Sequence, residues 1–254
     1  MDRTAHADLR RPTIGIVAGS GPEAGIDLWA KILRRNAAVM GTAFRGDLDA
    51  PRVVVLSEPQ LGLSMDLAAN EGPVWEAMQS TVTRIAGQSD AWAIACNTLN
   101  WFAPRIADLK LTAEFVSFPS VVADWIAASG LRRLGLLGAA PVTEMGAWSA
   151  YRHLAGLVEI ETPADRAALQ DLIHDVKRLG SADPGLRPRF ARIVEAMQAD
   201  TLLLACTELP LIADISTSKT LVDVTDLVAD ALVARSLAGW DRADMTPAQQ
   251  ENDA

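Results

Sequence analysis

The 254-residue sequence predicts an α/β protein whose helices and parallel strands alternate through two similar halves. Three observations carry that expectation. The strand candidates are short, continuously apolar runs such as TIGIVA (13–18) and RVVVL (52–56), typical of strands covered on both faces. They alternate with helix-length amphipathic stretches, the rhythm of right-handed β-α-β crossovers. That rhythm is run through twice, in segments of similar size.

The elements follow in order. Strand 13–18 enters Gly19-Ser20-Gly21-Pro22, a tight strand-to-helix turn. Pro22 suits the first helical turn, where no N–H is needed, and Glu23 there complements the helix dipole. Helix 26–39, strand 52–56, a loop over 57–72, helix 73–87 and strand 91–95 come next. A helical stretch from Asn100 to Lys110 and strand 114–117 complete the first half. The second half predicts helix 120–129, strand 133–137, a loop from Gly138 to Thr143 and a helix ending near Leu154. Strand 158–161, helices 164–179 and 186–198, strands 201–205 and 220–224, and helix 226–237 follow. The expected division is a loose tail at 1–12, a first α/β domain from 13–118 plus 222–240, a second from 119–221, and a frayed tail at 241–254. Both domains are expected to be Rossmann-like, related by a pseudo-two-fold. The active site then lies in the crevice between them, outside the carboxyl ends of the strands.

Composition narrows the function classes. A net charge of −9 with scattered Lys and Arg argues against nucleic-acid binding. The apolar runs are strand-length, far short of the roughly 20 residues of a membrane span. The polar start MDRTAHADLRRP has no apolar segment behind it, so no targeting signal is expected. Two cysteines do not make a disulfide scaffold, and a reducing cytoplasm is the expected location. The expected partner is a small molecule, with neither nucleic acid nor membrane.

Both cysteines stand one residue past a strand. Cys96 lies in ACNT (95–98) and Cys206 in ACTELP (205–210). A cysteine beside a strand is ordinarily a small buried hydrophobe. A metal site needs more ligands, and His6, His153 and His174 are far from either cysteine in sequence, so no metal is expected. Each thiol, however, is followed by polar residues at a turn whose free N–H groups suit an anion. The same dipole lowers a thiol pKa. Neither motif supplies the histidine that a cysteine nucleophile normally uses. Two thiols without that base suit stereoinversion, in which one group removes a proton from carbon and the other returns one to the opposite face.

The motifs IGIVAGSGPEA (14–24), ACNT, KRLG (177–180), ACTELPLI (205–212) and VDVTDLVADA (222–231) resemble the aspartate/glutamate racemase family over about residues 13–237. The resemblance implies an amino-acid racemase that works without pyridoxal phosphate or any other cofactor, and a homodimer. Cys96 and Cys206 would be its two bases. Ser20, Asn97, Thr98, Thr143, Lys177, Thr207 and Glu208 would hold substrate, with Glu208 a supporting acid near Cys206. Glu208 also has a plainer reading as a solvated carboxylate at a helix start, and Lys177 as a solvated lysine at a helix end. Trp101 reads first as a packing or interface residue.

Three departures bear on specificity. Ser20 stands where relatives usually carry methionine. Asn100 replaces a frequent histidine. Ser64 falls about where relatives place an arginine that grips the substrate side-chain carboxylate, and no Lys or Arg occurs between Arg52 and Arg84. A serine hydroxyl does not replace a bidentate guanidinium. Ser64 and Asn100 are therefore the candidate side-chain pocket. The substrate is aspartate or glutamate or, given the missing arginine, a neutral or larger amino acid. The alternatives are a dicarboxylate isomerase or hydantoin racemase on the same fold, or a non-catalytic amino-acid-binding protein.

Overall fold

The computed structural model describes residues 11–240, so residues 1–10 of the tail expected at 1–12, and the tail expected at 241–254, lie outside the described residues. The first half contains β1 (Ile14–Ala18), α1 (Pro22–Met40), β2 (Val53–Ser57), α2 (Leu67–Ala86), β3 (Ala91–Ile94), α3 (Ala103–Asp108) and β4 (Glu114–Phe115). The second contains α4 (Phe118–Ser129), β5 (Arg133–Gly138), α5 (Ala140–Thr143), β6 (Glu159–Glu161), α6 (Arg166–Leu179), α7 (Leu186–Ala196), β7 (Thr201–Ala205), β8 (Thr220–Asp223) and α8 (Val224–Leu237).

Each half forms a four-stranded, all-parallel sheet. The orders are β2-β1-β3-β4 and β6-β5-β7-β8, so the second sheet repeats the first. In each, the chain leaves the first strand in one direction and returns to its other side. The carboxyl ends of β1 and β3, and of β5 and β7, are therefore switch points where a crevice opens. Both cysteines sit at these points, Cys96 two residues after β3 and Cys206 immediately after β7.

One hydrophobic cluster joins the halves. Ile16 and Ala93 of the first sheet, Leu136 and Leu203 of the second, and Val228 and Leu232 of α8 belong to it, all fully buried. Burying each of the valine, leucine and isoleucine chains contributes about 1.5–3 kcal/mol, so the relative placement of the sheets is strongly held. The division expected at 221/222 falls inside β8, because Leu203 pairs with Val222 and Leu204 with Asp223 in the second sheet. Helix α8 then packs against α1 and α4.

The structure corrects three local expectations. Residues 11 and 12 are not loose. Arg11 is buried and donates to the Asp49 carbonyl at 2.7 Å and to Ser236 Oγ at 2.9 Å, while Ser236 Oγ donates to the Pro12 carbonyl. The 57–72 loop is instead a 3-10 segment, Pro59–Asp66, followed directly by α2. Asp66 caps that helix through Ala69 N, and the backbone leaves helical geometry at Asn70, just ahead of Pro73, which has no N–H to give. The helix expected to end near Leu154 is absent. After α5 the chain turns through Met145 at φ 55°, and Ser149 Oγ donates to the Val142 carbonyl and accepts from Tyr151 N. A side chain that bonds its own backbone in this way competes with the helical ladder.

Candidate active site

The site grows from the turn after β1. Gly19 and Gly21 have φ of +116° and +104°, outside the range that L side chains favour. A Cβ on Gly19 would fall 2.2 Å from the Glu58 carbonyl oxygen, and one on Gly21 would fall 2.1 Å from Glu208 Oε1. The glycines thus let the turn close against the loop after β2 on one side and the second half on the other. Ser20, between them, is buried and reaches two partners. Its Oγ lies 3.0 Å from Ser64 Oγ and 3.4 Å from Cys96 Sγ.

The second thiol has an ionic neighbourhood. Cys206 Sγ donates to Glu208 Oε2 at 3.1 Å. The other carboxylate oxygen, Oε1, forms an ion pair with Lys177 Nζ, and that ammonium also donates to the Ser20 carbonyl at 3.1 Å. A continuous polar chain therefore runs from Cys96 through Ser20, Lys177 and Glu208 to Cys206. Burial pushes the Cys206 thiol pKa well up, the Glu208 charge raises it further, and the Lys177 charge pulls the other way. Burial is the largest single influence on Lys177 and works against its charge, but Glu208 and the two cysteines together outweigh it and the lysine pKa is raised. Lys177 at the end of α6 and Glu208 after β7 are mutual partners, in contrast to the solvated readings the sequence also allowed.

Across the seam, Tyr151 donates its phenol to Asn97 Oδ1. Asn97 Nδ2 is buried with no hydrogen-bond partner. Its orientation is set by the tyrosine, so the amide presents a ready donor beside Cys96. Tyr151 is fully buried, and its pKa is raised well above the ordinary value, first by burial and then by the Cys96 and Cys206 charges. Both thiols lie within electrostatic reach of this one ring. Thr207 Oγ1 donates to the Ala95 carbonyl at 3.4 Å, a second link between the two cysteine motifs. Thr98 is buried at the start of the 3-10 turn that follows Cys96.

Two of the expected residues bond to backbone groups. Asn100 Nδ2 donates to the Cys96 carbonyl at 2.9 Å, and its Oδ1 accepts from Phe118 N at 2.9 Å. Its amide thus holds the Cys96 turn onto the start of α4. Thr143 is buried at the end of α5, and its hydroxyl bonds the Ala139 carbonyl one turn back. Trp101 packs on Phe102 and Trp148, with Nε1 donating to the Ala147 carbonyl. The residue missed in sequence was Tyr151. It is the only tyrosine in the chain, and the helix expected around it gave no reason to aim it at the site.

A cavity of about 380 Å³ opens from solvent onto the Lys177–Glu208 pair, walled by Gly21, Pro22, Val176 and Leu211. A larger one of about 690 Å³, against α6 and α7, contains neither thiol. Both cysteines are free thiols and buried. Among the described residues no three His, Cys, Asp or Glu side chains converge as metal ligands. No helix among them is long and apolar enough to cross a membrane.

The model of the Asp/Glu/Hydantoin racemase family matches residues 17–234, most of the chain. The chain belongs to the Asp/Glu/Hydantoin racemase family. Solved racemase structures share its fold. The aspartate racemase of Picrophilus torridus is 22% identical with a TM-score of 0.75, over 89% of this chain and 94% of that one. An aspartate racemase homologue from Pyrococcus horikoshii is 20% identical with a TM-score of 0.67, over 89% and 99%. The glutamate racemase of Thermus thermophilus is 19% identical with a TM-score of 0.58, over 90% and 81%. Both sheets of this family member therefore follow the racemase two-domain plan.

Proposed function

We propose that this family member is a cofactor-independent amino-acid racemase in which Cys96 and Cys206 act as opposed acid and base. The observation that carries the reading is their placement. Each thiol lies at the switch point of one of two sheets with the same strand order, and the two are joined by polar contacts across the seam.

Cys206 is the proton donor of the resting state, because burial and Glu208 both favour its neutral form. Cys96, as thiolate, takes the α-proton; the C–H bond breaks and an S–H bond forms. The carbanion then takes the Cys206 proton on its other face. The new thiolate is met by the Lys177 charge, which favours that ionised form. The opposite enantiomer uses the reverse protonation state. Asn97 Nδ2, Thr98, Thr207 and the turn amides cradle the α-carboxylate and ammonium groups.

The substrate side chain is best read as neutral. Ser20 and Ser64 offer hydroxyls beside Cys96, and the Lys177 charge is already matched by Glu208. A dicarboxylic amino acid would have to compete with that buried ion pair for its anchor.

The test is incubation of enantiopure neutral and acidic amino acids with the purified protein in heavy water, following α-deuteration and optical rotation. Racemisation of a neutral amino acid, undiminished by hydroxylamine treatment to strip carbonyl cofactors, is expected. Cys96→Ala and Cys206→Ala should each abolish inversion while retaining exchange from opposite enantiomers. Absence of α-exchange with every amino acid would sink the reading, and a preference for aspartate would overturn the neutral-substrate assignment.

A further inference from the structure

A cavity of about 690 Å³ lies against α6 and α7, away from both thiols. Its size falls in the range of small-molecule sites. It opens between the two helices and the 161–165 segment that leads from β6 into α6. Pro163, Ala168, Ile193, Ala196 and Met197 give it an apolar lining.

Most of the charges around it are engaged. The Glu161 carboxylate accepts from Gln198 N and Ala199 N, both at 2.7 Å, and pairs with Arg133 at 3.2 Å. Asp165 caps α6 by accepting from Ala168 N at 2.9 Å. Arg189 of α7 pairs with Asp175 of α6 at 2.6 Å, near the bend between the two helices. One turn further from the bend stand Asp171 and Arg192, four residues before Asp175 and three after Arg189. Both line the cavity and both are exposed, yet neither has a hydrogen-bond or ion-pair partner among the described residues. The second rung of the helix pair is therefore open, with one free carboxylate and one free guanidinium on an apolar gap.

We propose that this cavity is a second ligand site, which binds a small apolar zwitterion with its ammonium on Asp171 and its carboxylate on Arg192. The apolar body of the ligand covers Ile193, Ala196 and Met197. An anion and a cation on an apolar gap match a ligand of the reversed pattern, and a guanidinium suits a carboxylate through paired N–H donors. Neither charge has to leave a protein partner for the ligand to bind, unlike Arg189 or Glu161 beside them. A free apolar amino acid and a short apolar peptide share this chemistry. The inference does not rest on the catalytic reading.

Isothermal titration calorimetry of the full chain tests it, with leucyl-leucine and leucine as probes. Saturable binding is expected, and the tighter probe tells whether the occupant is a peptide or a free amino acid. Asp171→Asn and Arg192→Gln should each weaken it at least about threefold, the size of a partly exposed charge contact. N-acetyl-leucyl-leucine lacks the ammonium, so it should bind more weakly than its parent and be indifferent to Asp171→Asn. Leucyl-leucinamide lacks the carboxylate and should be indifferent to Arg192→Gln in the same way. Ala196→Trp, which fills the gap, should abolish binding. The two polar variants keep the test decisive if Ala196→Trp does not fold by circular dichroism, because both positions are exposed. Absence of binding by both probes, binding that persists unchanged in the Asp171→Asn, Arg192→Gln double variant, or capped dipeptides that bind as tightly as the parent would overturn the proposal.

Discussion

The Cys206 thiol donates to Glu208 Oε2 at 3.1 Å, while the other oxygen of that carboxylate is held by Lys177. Glu208 therefore opposes ionisation of the thiol, and Lys177 favours it. Substituting the two should move the thiol in opposite directions. Glu208→Gln should lower the Cys206 pKa and Lys177→Met should raise it, read from the pH dependence of thiol alkylation. If Cys206 acts as proposed, Glu208→Gln should also cost about 10²-fold in kcat/KM. The loss should be equal for both enantiomers, because a racemase has an equilibrium constant of one.

Tyr151→Phe removes the donor that orients Asn97. The Asn97 carbonyl is then buried without a partner, at a cost of about 1–3 kcal/mol in folding stability. Its amide is also free to turn from the substrate. A several-fold rise in KM exceeding any fall in kcat is expected, and an unchanged KM would make Tyr151 purely structural.

Gly21→Ala should damage both folding and activity. The φ of +104° disfavours any side chain, and the added carbon meets Glu208 Oε1 at 2.1 Å and Lys177 Nζ at 2.9 Å. Denaturant melts should show a loss of more than about 1 kcal/mol. Ala at Gly62, where an added carbon meets nothing within 4 Å, is the control and should change little.

Alkaline pH should destabilise the fold. Cys206, Tyr151 and Lys177 all have folded pKa values raised above the ordinary ones. The folded state thus keeps these protons longer than the unfolded chain does. The stability they contribute is fully present below the unfolded values and is lost as pH rises through the folded ones. The decline should begin near about pH 8.5, the ordinary thiol value, and Cys206→Ala should flatten its first part in urea titrations followed by fluorescence.

Much of the fold is local information. The runs at 14–18, 91–94 and 201–205 are apolar on both faces, so each had to be a covered strand wherever it was placed. Cys96 and Cys206 could be set at the strand ends for the same reason. The segment 144–151 misled because its composition suits a helix, while Met145 and Ser149 supply turn geometry that appears only in three dimensions. At Asn100 the sequence offered a polar residue beside a site motif, but its backbone partners Cys96 and Phe118 became known only in the fold.

By itself, then, the sequence determined the repeated α/β rhythm and the two thiols at its strand ends, since apolar runs, helix periodicity and turn residues act over a few positions. Only the tertiary structure decided that Lys177 neutralises Glu208, that Tyr151 aims Asn97, that Ser64 meets Ser20, and that Arg11 is pinned beneath α8. Those contacts join residues between 31 and 225 positions apart. They exist because burial of a shared core brings two half-folds together, and each polar group enclosed at the seam must then find a partner.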